Sequence, residues 1–314
     1  MPNWLIERGI GETRFARVAD GDIVEARIAL DGLARAGEVL GARLAQVGRP
    51  TIATVGQEEF LLPGGAPGAT QGASVQIEVT RERIPGAEPW KRPLARLVGS
   101  EFRQAEQVSG TSLPLPAASD ALESVGWSDL LDEARTGIVR FAGGELRIAP
   151  TPAMTLIDID GFGPPRELAL LGAEAAARAI LRLDIGGSIG IDLPTITGKA
   201  DRQAVGEKID AILPKPFERT AMNGFGFLQI VRPRRRASLG ELAQDRAPFE
   251  ARALLRRTAF EPAGAKRLVA HPALIAVLES RSDWIDALAG QLGGAISLRA
   301  DAALPMSGGY AEQV

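Results

Sequence analysis

The chain has 314 residues, 45% hydrophobic and 24% charged, with a formal net charge of −3. Those are the proportions of an ordinary globular protein with length for two or three small domains, and the charge excludes a global basic field. There is no cysteine and one histidine, His271, which precedes a proline and reads as structural, so thiolate metal sites, disulfides and histidine-dependent triads are excluded.

Residues 1–32 alternate like strands, with turns at residues 9–11 and 20–22, the second making a hairpin. The first eight residues carry no long apolar run behind a basic start, so no signal peptide is expected. No stretch reaches about 18 apolar residues, so the expectation is a cytoplasmic protein without membrane contact. Residues 33–97 hold short strands parted by Gly and Pro, and Val75, Ile77 and Val79 share one face of the cleanest of them. That pattern suits a small barrel. Residues 109–119, rich in Pro, Ser and Ala, read as a linker, and a short helix opens at Trp127 with Ser128 or Asp129 as its cap.

Residues 137–148 predict a hairpin turning at Gly143-Gly144, which leads into the apolar run Met154-Thr-Leu-Ile-Asp158-Ile-Asp160-Gly161. A second run, Ile185-Gly-Gly-Ser-Ile-Gly-Ile-Asp192, follows after a helix over 166–183 with Leu168, Leu171, Ala175, Ala179 and Leu183 at helical spacing. Two such strands joined by a helix make a βαβ unit, whose parallel strands bring Asp158 and Asp192 together with Asp160 close by. Carboxylates gathered at a strand-end crevice suit Mg²⁺, a hard cation that takes oxygen ligands. An aspartate there equally serves as a turn former or helix cap. Beyond Asp192 a further helix carries Val205, Ile209 and Ile212, and Lys199 and Arg202 at its start either reach a phosphate or are solvated. Gly198-Lys199 lacks the earlier glycine of a P-loop. A turn and strand over 219–231 end in Arg232, Arg234, Arg235 and Arg236, a run that is either solvated surface or a set of phosphate contacts. The tail reads as helices over 252–257, 272–280 and 284–292, with Trp284 in a core, and a final strand over 296–300.

Thr155-Leu-Ile-Asp158-Ile-Asp160 and Leu183-Asp-Ile-Gly186-Gly187-Ser-Ile-Gly-Ile-Asp192, with the segment Met222 to Leu239, resemble the catalytic core of the ribonuclease E/G family. The resemblance extends to the ending Gly309-Tyr310-Ala-Glu312-Gln313-Val314 and so over nearly the whole chain. It implies a Mg²⁺-dependent endoribonuclease acting on single-stranded RNA, with Asp158 and Asp192 as metal ligands and Asp160 where the family has Asn. The implied fold is α/β in several domains: an N-terminal β segment over 1–32 packing on the catalytic domain and an OB-fold module over 33–97. A linker and short helix over 98–136, a DNase I-like or RNase H-like catalytic domain over 137–240 and an α-rich tail over 241–314 complete it. Phe60 matches a family aromatic that stacks RNA bases, although core packing accounts for it equally; a second such aromatic is lost near Ile52 or Ala53. Lys91, beside Trp90 and Arg92, lies near the family's basic strand end, and Arg232, Arg234, Arg235 and Arg236 match its basic stretch. The family's sensor for a 5′ monophosphate finds no room in 98–136, so cleavage is expected not to depend on that group. The family's zinc link needs cysteine, so no zinc-linked dimer is expected. The loop after Asp160 is shorter than the family's, which leaves a non-cutting RNA-binding protein as the alternative.

Overall fold

The computed structural model describes residues 3–86, 90–99, 102–105 and 107–314. The start of the expected N-terminal strand, residues 87–89 of the expected barrel and residues 100, 101 and 106 of the mixed stretch lie outside the described residues. The chain is a mixed α/β protein with several sheets, one of them a closed five-stranded barrel, and seven α-helices among the described residues. In chain order, β1 (Asn3–Arg8), β2 (Glu12–Ala19) and β3 (Asp22–Leu30) are followed by β4 (Val39–Gln46), β5 (Ile52–Val55), β6 (Glu58–Leu61), β7 (Ser74–Arg81) and β8 (Leu94–Val98). Then come β9 (Thr111–Leu113), α1 (Trp127–Thr136), β10 (Ile138–Phe141), β11 (Gly144–Pro150), β12 (Thr155–Gly161), α2 (Pro165–Arg182), β13 (Gly187–Asp192), α3 (Lys199–Ile212), β14 (Glu218–Arg219) and β15 (Phe227–Arg232). The last third holds α4 (Leu239–Gln244), α5 (Arg246–Ala259), β16 (Lys266–Ala270), α6 (Pro272–Glu279), α7 (Ser282–Leu292), β17 (Ile296–Ala300) and β18 (Tyr310–Gln313). No helix among the described residues is long and apolar enough to cross a membrane.

Residues 1–31, 109–135 and 242–314 form one compact unit. Its four-stranded sheet has the order β3-β2-β1-β9. The β2–β3 turn takes Asp20 and Gly21 to φ of 54° and 89°, which is the expected hairpin. β9 lies inside the expected linker and pairs parallel to β1, with Leu5 opposite Thr111. Three residues at a sheet edge need little β propensity of their own, so the Pro and Ser around them conceal the strand. The tail is less purely helical than expected, because β16 and β18 join β17 in a sheet of order β17-β16-β18. Leu254, Leu268, Leu274, Leu278, Leu288 and Trp284 form the core there. His271 caps α6 by accepting a hydrogen bond at Nδ1 from the Ala273 amide at 3.2 Å, a structural role.

The N-terminal strands are tied into this unit through buried charge. Arg14 donates to Glu7 at 2.8 Å and to Glu12 at 2.7 Å. Arg256 reaches the same Glu7 at 2.9 Å, and Arg252 reaches Glu12 at 2.8 Å. Asp120 pairs with Arg256. Charges this deep persist only when paired and hydrogen-bonded, so the network commits strand and helix to each other. The N-terminal strands therefore belong to the same compact unit as the C-terminal third.

Residues 32–108 and 136–241 form the second unit. Its barrel closes in the order β4-β5-β6-β8-β7, with β6 and β8 parallel through Leu61 and Leu94. Leu44, Phe60, Ile77 and Val79 fill the barrel interior. The other sheet has the order β10-β11-β12-β13-β15-β14, and β12–β13, joined by α2, is its parallel pair. Along β12, Thr155, Ile157 and Ile159 are buried while Leu156, Asp158 and Asp160 are exposed, the alternation of a sheet covered on one face. The cover is α2, with Ala173, Ala176, Ala177 and Ile180 buried. Gly172 sets how closely that helix approaches: a Cβ there would lie 2.5 Å from Cγ2 of Ile159. The opposite face is open.

Candidate functional site

Asp158 and Asp192 are register partners on β12 and β13. Partners in a parallel ladder project to the same face, and the strands run about 4.8 Å apart. The sequence therefore places two carboxylates side by side on the open face, with Asp160 two residues on in the same column. Asp192 ends β13, as expected of a strand-end acid, whereas hairpin pairing with β11 carries β12 three residues past Asp158, to Gly161 opposite Gly144. The pair accordingly sits on the sheet's surface.

The electrostatics are those of crowded like charge. Partial desolvation against the sheet, then repulsion from Asp160 and Asp192, raises the Asp158 carboxyl above its ordinary value. The opposing cation is Arg147 on β11, register partner of Asp158. Its Nε lies 3.7 Å from Asp160 while its Nη2 donates to Glu145 at 2.6 Å, so one guanidinium is shared between two carboxylates. Arg147 thus meets part of the extra negative charge that Asp160 brings. Among the described residues no three acidic or histidine side chains converge as a ready cation cluster. A pair of oxygen donors still fits Mg²⁺, which is held through one or two carboxylates while keeping waters and taking substrate phosphate oxygens.

An apolar strip borders the acids. Leu156 is 40% exposed, and Phe227, register partner of Asp192, lays its ring against Gly190, where a Cβ would come within 2.6 Å. Two aromatic tips stand beyond it. Phe162 follows Asp160 in the loop Gly161-Phe162-Gly163 and is 92% exposed. Phe225, in Gly224-Phe225-Gly226, is 86% exposed. Its turn is braced by Asn223, whose Oδ1 accepts from the amides of Phe225 at 2.9 Å and Phe227 at 3.0 Å. The Thr195 hydroxyl donates to the Phe225 carbonyl at 3.2 Å.

The basic residues fall elsewhere. β15 is antiparallel to β13, with Arg232 opposite Gly187 and Phe227 opposite Asp192. Five residues of strand, about 17 Å, therefore separate Arg232 and the arginines after it from the acids. Arg232 donates to the Ile185 carbonyl at 2.7 Å, Arg234 pairs with Glu241, and Arg236 pairs with Asp184 at 3.0 Å. Arg235 is the exposed member, with no side-chain partner among the described residues. Of the four arginines expected either to contact phosphate or to be solvated, Arg232, Arg234 and Arg236 are engaged within the protein, and the segment ties β15 back onto β13 and α4. Nearer the acids, Arg202 donates to the carbonyls of Ile196 and Thr197 at 3.0 and 2.8 Å, and Lys199 is exposed.

On the barrel, Phe60 is fully buried, so its ring offers no face to a base and core packing accounts for it. Lys91 is half-buried. Its neighbour Trp90 is 70% exposed, and Arg92 is held by Glu59 at 2.6 Å. A cavity of about 460 Å³ crosses β4, β5 and β7, with Arg43, Thr54 and Gln76 among its lining. Sequence reasoning passed over Phe162 and Phe225 as site residues, although a phenylalanine between two glycines has no bulky chain neighbour to cover it, and that signal was present twice. No family model matches the chain, and no curated protein matches it.

Proposed function

We propose that this protein is a Mg²⁺-dependent endoribonuclease acting on single-stranded RNA, of the ribonuclease E/G kind. The observation that carries the reading is the placement of Asp158 and Asp192 side by side on an open sheet face with their charge unbalanced. Asp158 and Asp192 would hold the ion, which when bound lowers the pKa of a water and offsets charge on the scissile phosphate. Asp160, anchored by Arg147, orients waters around that position and holds the negative character of the face. The strip of Leu156 and Phe227 keeps one flank of the acids poor in water, which strengthens charge interactions there. Within this reading the closed barrel is an OB-fold RNA-binding module: in its own strand numbering the order is 1-2-3-5-4, with the third and fifth strands parallel. Exposed Trp90 replaces buried Phe60 as its stacking residue. The sheet over 137–240 is read as the DNase I-like or RNase H-like catalytic domain.

The test is cleavage of a fluorescent single-stranded RNA with and without Mg²⁺, supplied with 5′-hydroxyl and 5′-monophosphate ends. Mg²⁺-dependent cutting at equal rates on both ends is expected, because residues 107–136 contain only β9, a short turn of helix and α1 where the end sensor would lie. A second reading, an RNA-binding protein that does not cut, is favoured by the two-carboxylate rather than three-carboxylate grouping. RNA binding that weakens with salt, with no cutting in Mg²⁺, would establish it.

A further inference from the structure

The strand that carries Asp158 and the strand that pairs with that of Asp192 each border the same device, a phenylalanine carried between two glycines. Phe162 stands past Asp160 at the end of β12, and the Phe162 amide still bonds the Gly143 carbonyl at 2.9 Å, so the side chain continues the column of Leu156, Asp158 and Asp160. Phe225 stands past Phe227 on the strand that pairs with β13, in a turn fixed by Asn223 and Thr195 and by the Leu193 amide bonding the Gly226 carbonyl at 3.1 Å. Both rings are therefore exposed on an ordered backbone, at 92% and 86%, past the same end of the acidic pair, one on the strand of Asp158 and one on the strand beside Asp192. Resting on the nuclease reading, we propose that Phe162 and Phe225 are base-stacking platforms that grip unpaired nucleobases on one flank of the phosphate presented to Asp158 and Asp192. They make the site selective for single strands.

The chemistry of the surroundings chooses this occupant. A base offers a π face to an exposed ring whatever its identity, and two platforms can be served only where bases are unstacked from a partner strand. A protein partner that buried these rings would also cover three aspartates that Arg147 offsets only in part, and a second copy of this chain would bring like charge against like charge. RNA brings its own negative charge, which a divalent ion held by Asp158 and Asp192 would offset, leaving the rings to hold the bases.

The experiment uses the whole protein, a single-stranded RNA carrying 2-aminopurine and Mg²⁺, with Phe162→Leu, Phe225→Leu and the double variant. Leucine keeps apolar bulk and removes the π face. Stacking quenches 2-aminopurine, so quenching within the first turnover is expected for the wild type and not for the double variant. Each single substitution is expected to raise KM about tenfold while kcat stays within about twofold, and Phe225→Trp to restore the wild-type KM. Duplex RNA should give no quenching. If the wild type cuts RNA and the double variant matches it in quenching and KM, the stacking proposal is wrong and the nuclease reading stands. If bases stack but nothing is cut, the nuclease reading alone fails. If the wild type neither binds nor cuts RNA, both fail. If sedimentation shows a dimer that the double variant dissolves, the rings form a subunit interface and the proposal is overturned.

Discussion

Two clusters of acid in this protein use the same residue types to opposite ends. In the first unit Glu7, Glu12 and Asp120 face Arg14, Arg252 and Arg256, three carboxylates against three guanidinium groups, with both glutamates and all three arginines buried. In the second, Asp158, Asp160 and Asp192 share an exposed face with Arg147, which is also engaged by Glu145. Deep burial forces charge to be matched one for one, and the matched set then locks strand to helix. Exposure lets a surplus persist, at a cost in repulsion that a bound cation or substrate can relieve. The matched charge is architectural, and the unmatched acids are where the proposed cation would bind.

Substitutions in the two clusters should separate accordingly. The largest effect is expected in catalysis: Asp158→Asn or Asp192→Asn should lower Mg²⁺-dependent cleavage by about 10³-fold or more, several kcal/mol of barrier. Their stability should stay within about 0.5 kcal/mol of wild type, because a repelling surface charge is removed. Chemical denaturation beside the cleavage assay checks this, and a variant that unfolds would break the contrast. Glu7→Gln should do the reverse, costing about 3–5 kcal/mol of stability, because Arg14 and Arg256 lose their shared carboxylate inside the protein. A denaturation midpoint unchanged from wild type would show that the buried network carries little.

The arginines after β15 sharpen the comparison on a smaller scale. Arg235→Ala should weaken RNA binding evenly across sequences and reduce the slope of log affinity against log salt by about 1. Arg234→Ala removes the partner of Glu241 and should appear in thermal stability instead. Equal slopes for both variants would contradict the assignment. The smallest effect is expected at Glu82, where burial raises the carboxyl above its ordinary value and the Ala36 amide and Arg236 only partly offset it. A raised folded-state value means stability is highest below the ordinary carboxylate range and declines as pH rises through the raised value. Glu82→Gln should therefore gain on the wild type as pH rises through that window in parallel melts, and a difference flat with pH would contradict it.

What was legible in the sequence was local or one step from local. The strand, helix and strand around Asp158 and Asp192 are written in short apolar runs and one helical stripe, and parallel adjacency follows from the single helix between them. The barrel strands and the hairpin announce themselves by alternation and turn residues, although the hairpin turns through Ala142 and Gly143, one residue earlier than the Gly143-Gly144 pair suggests. What was hidden depends on long-range topology. Arg232 to Arg236 read as a basic patch near the acids, but the antiparallel return of β15 sends them to the far end of the sheet. Phe60 read as a possible platform, but β6 turns that residue to the barrel interior between exposed Glu59 and half-buried Leu61. The tie from Glu7 to Arg256 spans nearly the whole chain, and no window of sequence contains it.

The most direct measurement is binding of Mn²⁺, a spectroscopic stand-in for Mg²⁺, followed by electron paramagnetic resonance on the wild type and Asp192→Asn in the presence of single-stranded RNA. The wild type is expected to bind the ion, Mg²⁺ to displace it, and Asp192→Asn to hold it at least about tenfold more weakly once one of its two carboxylates is gone. No bound ion, or equal affinity in the two proteins, would contradict the claim that the unmatched acids are a cation site.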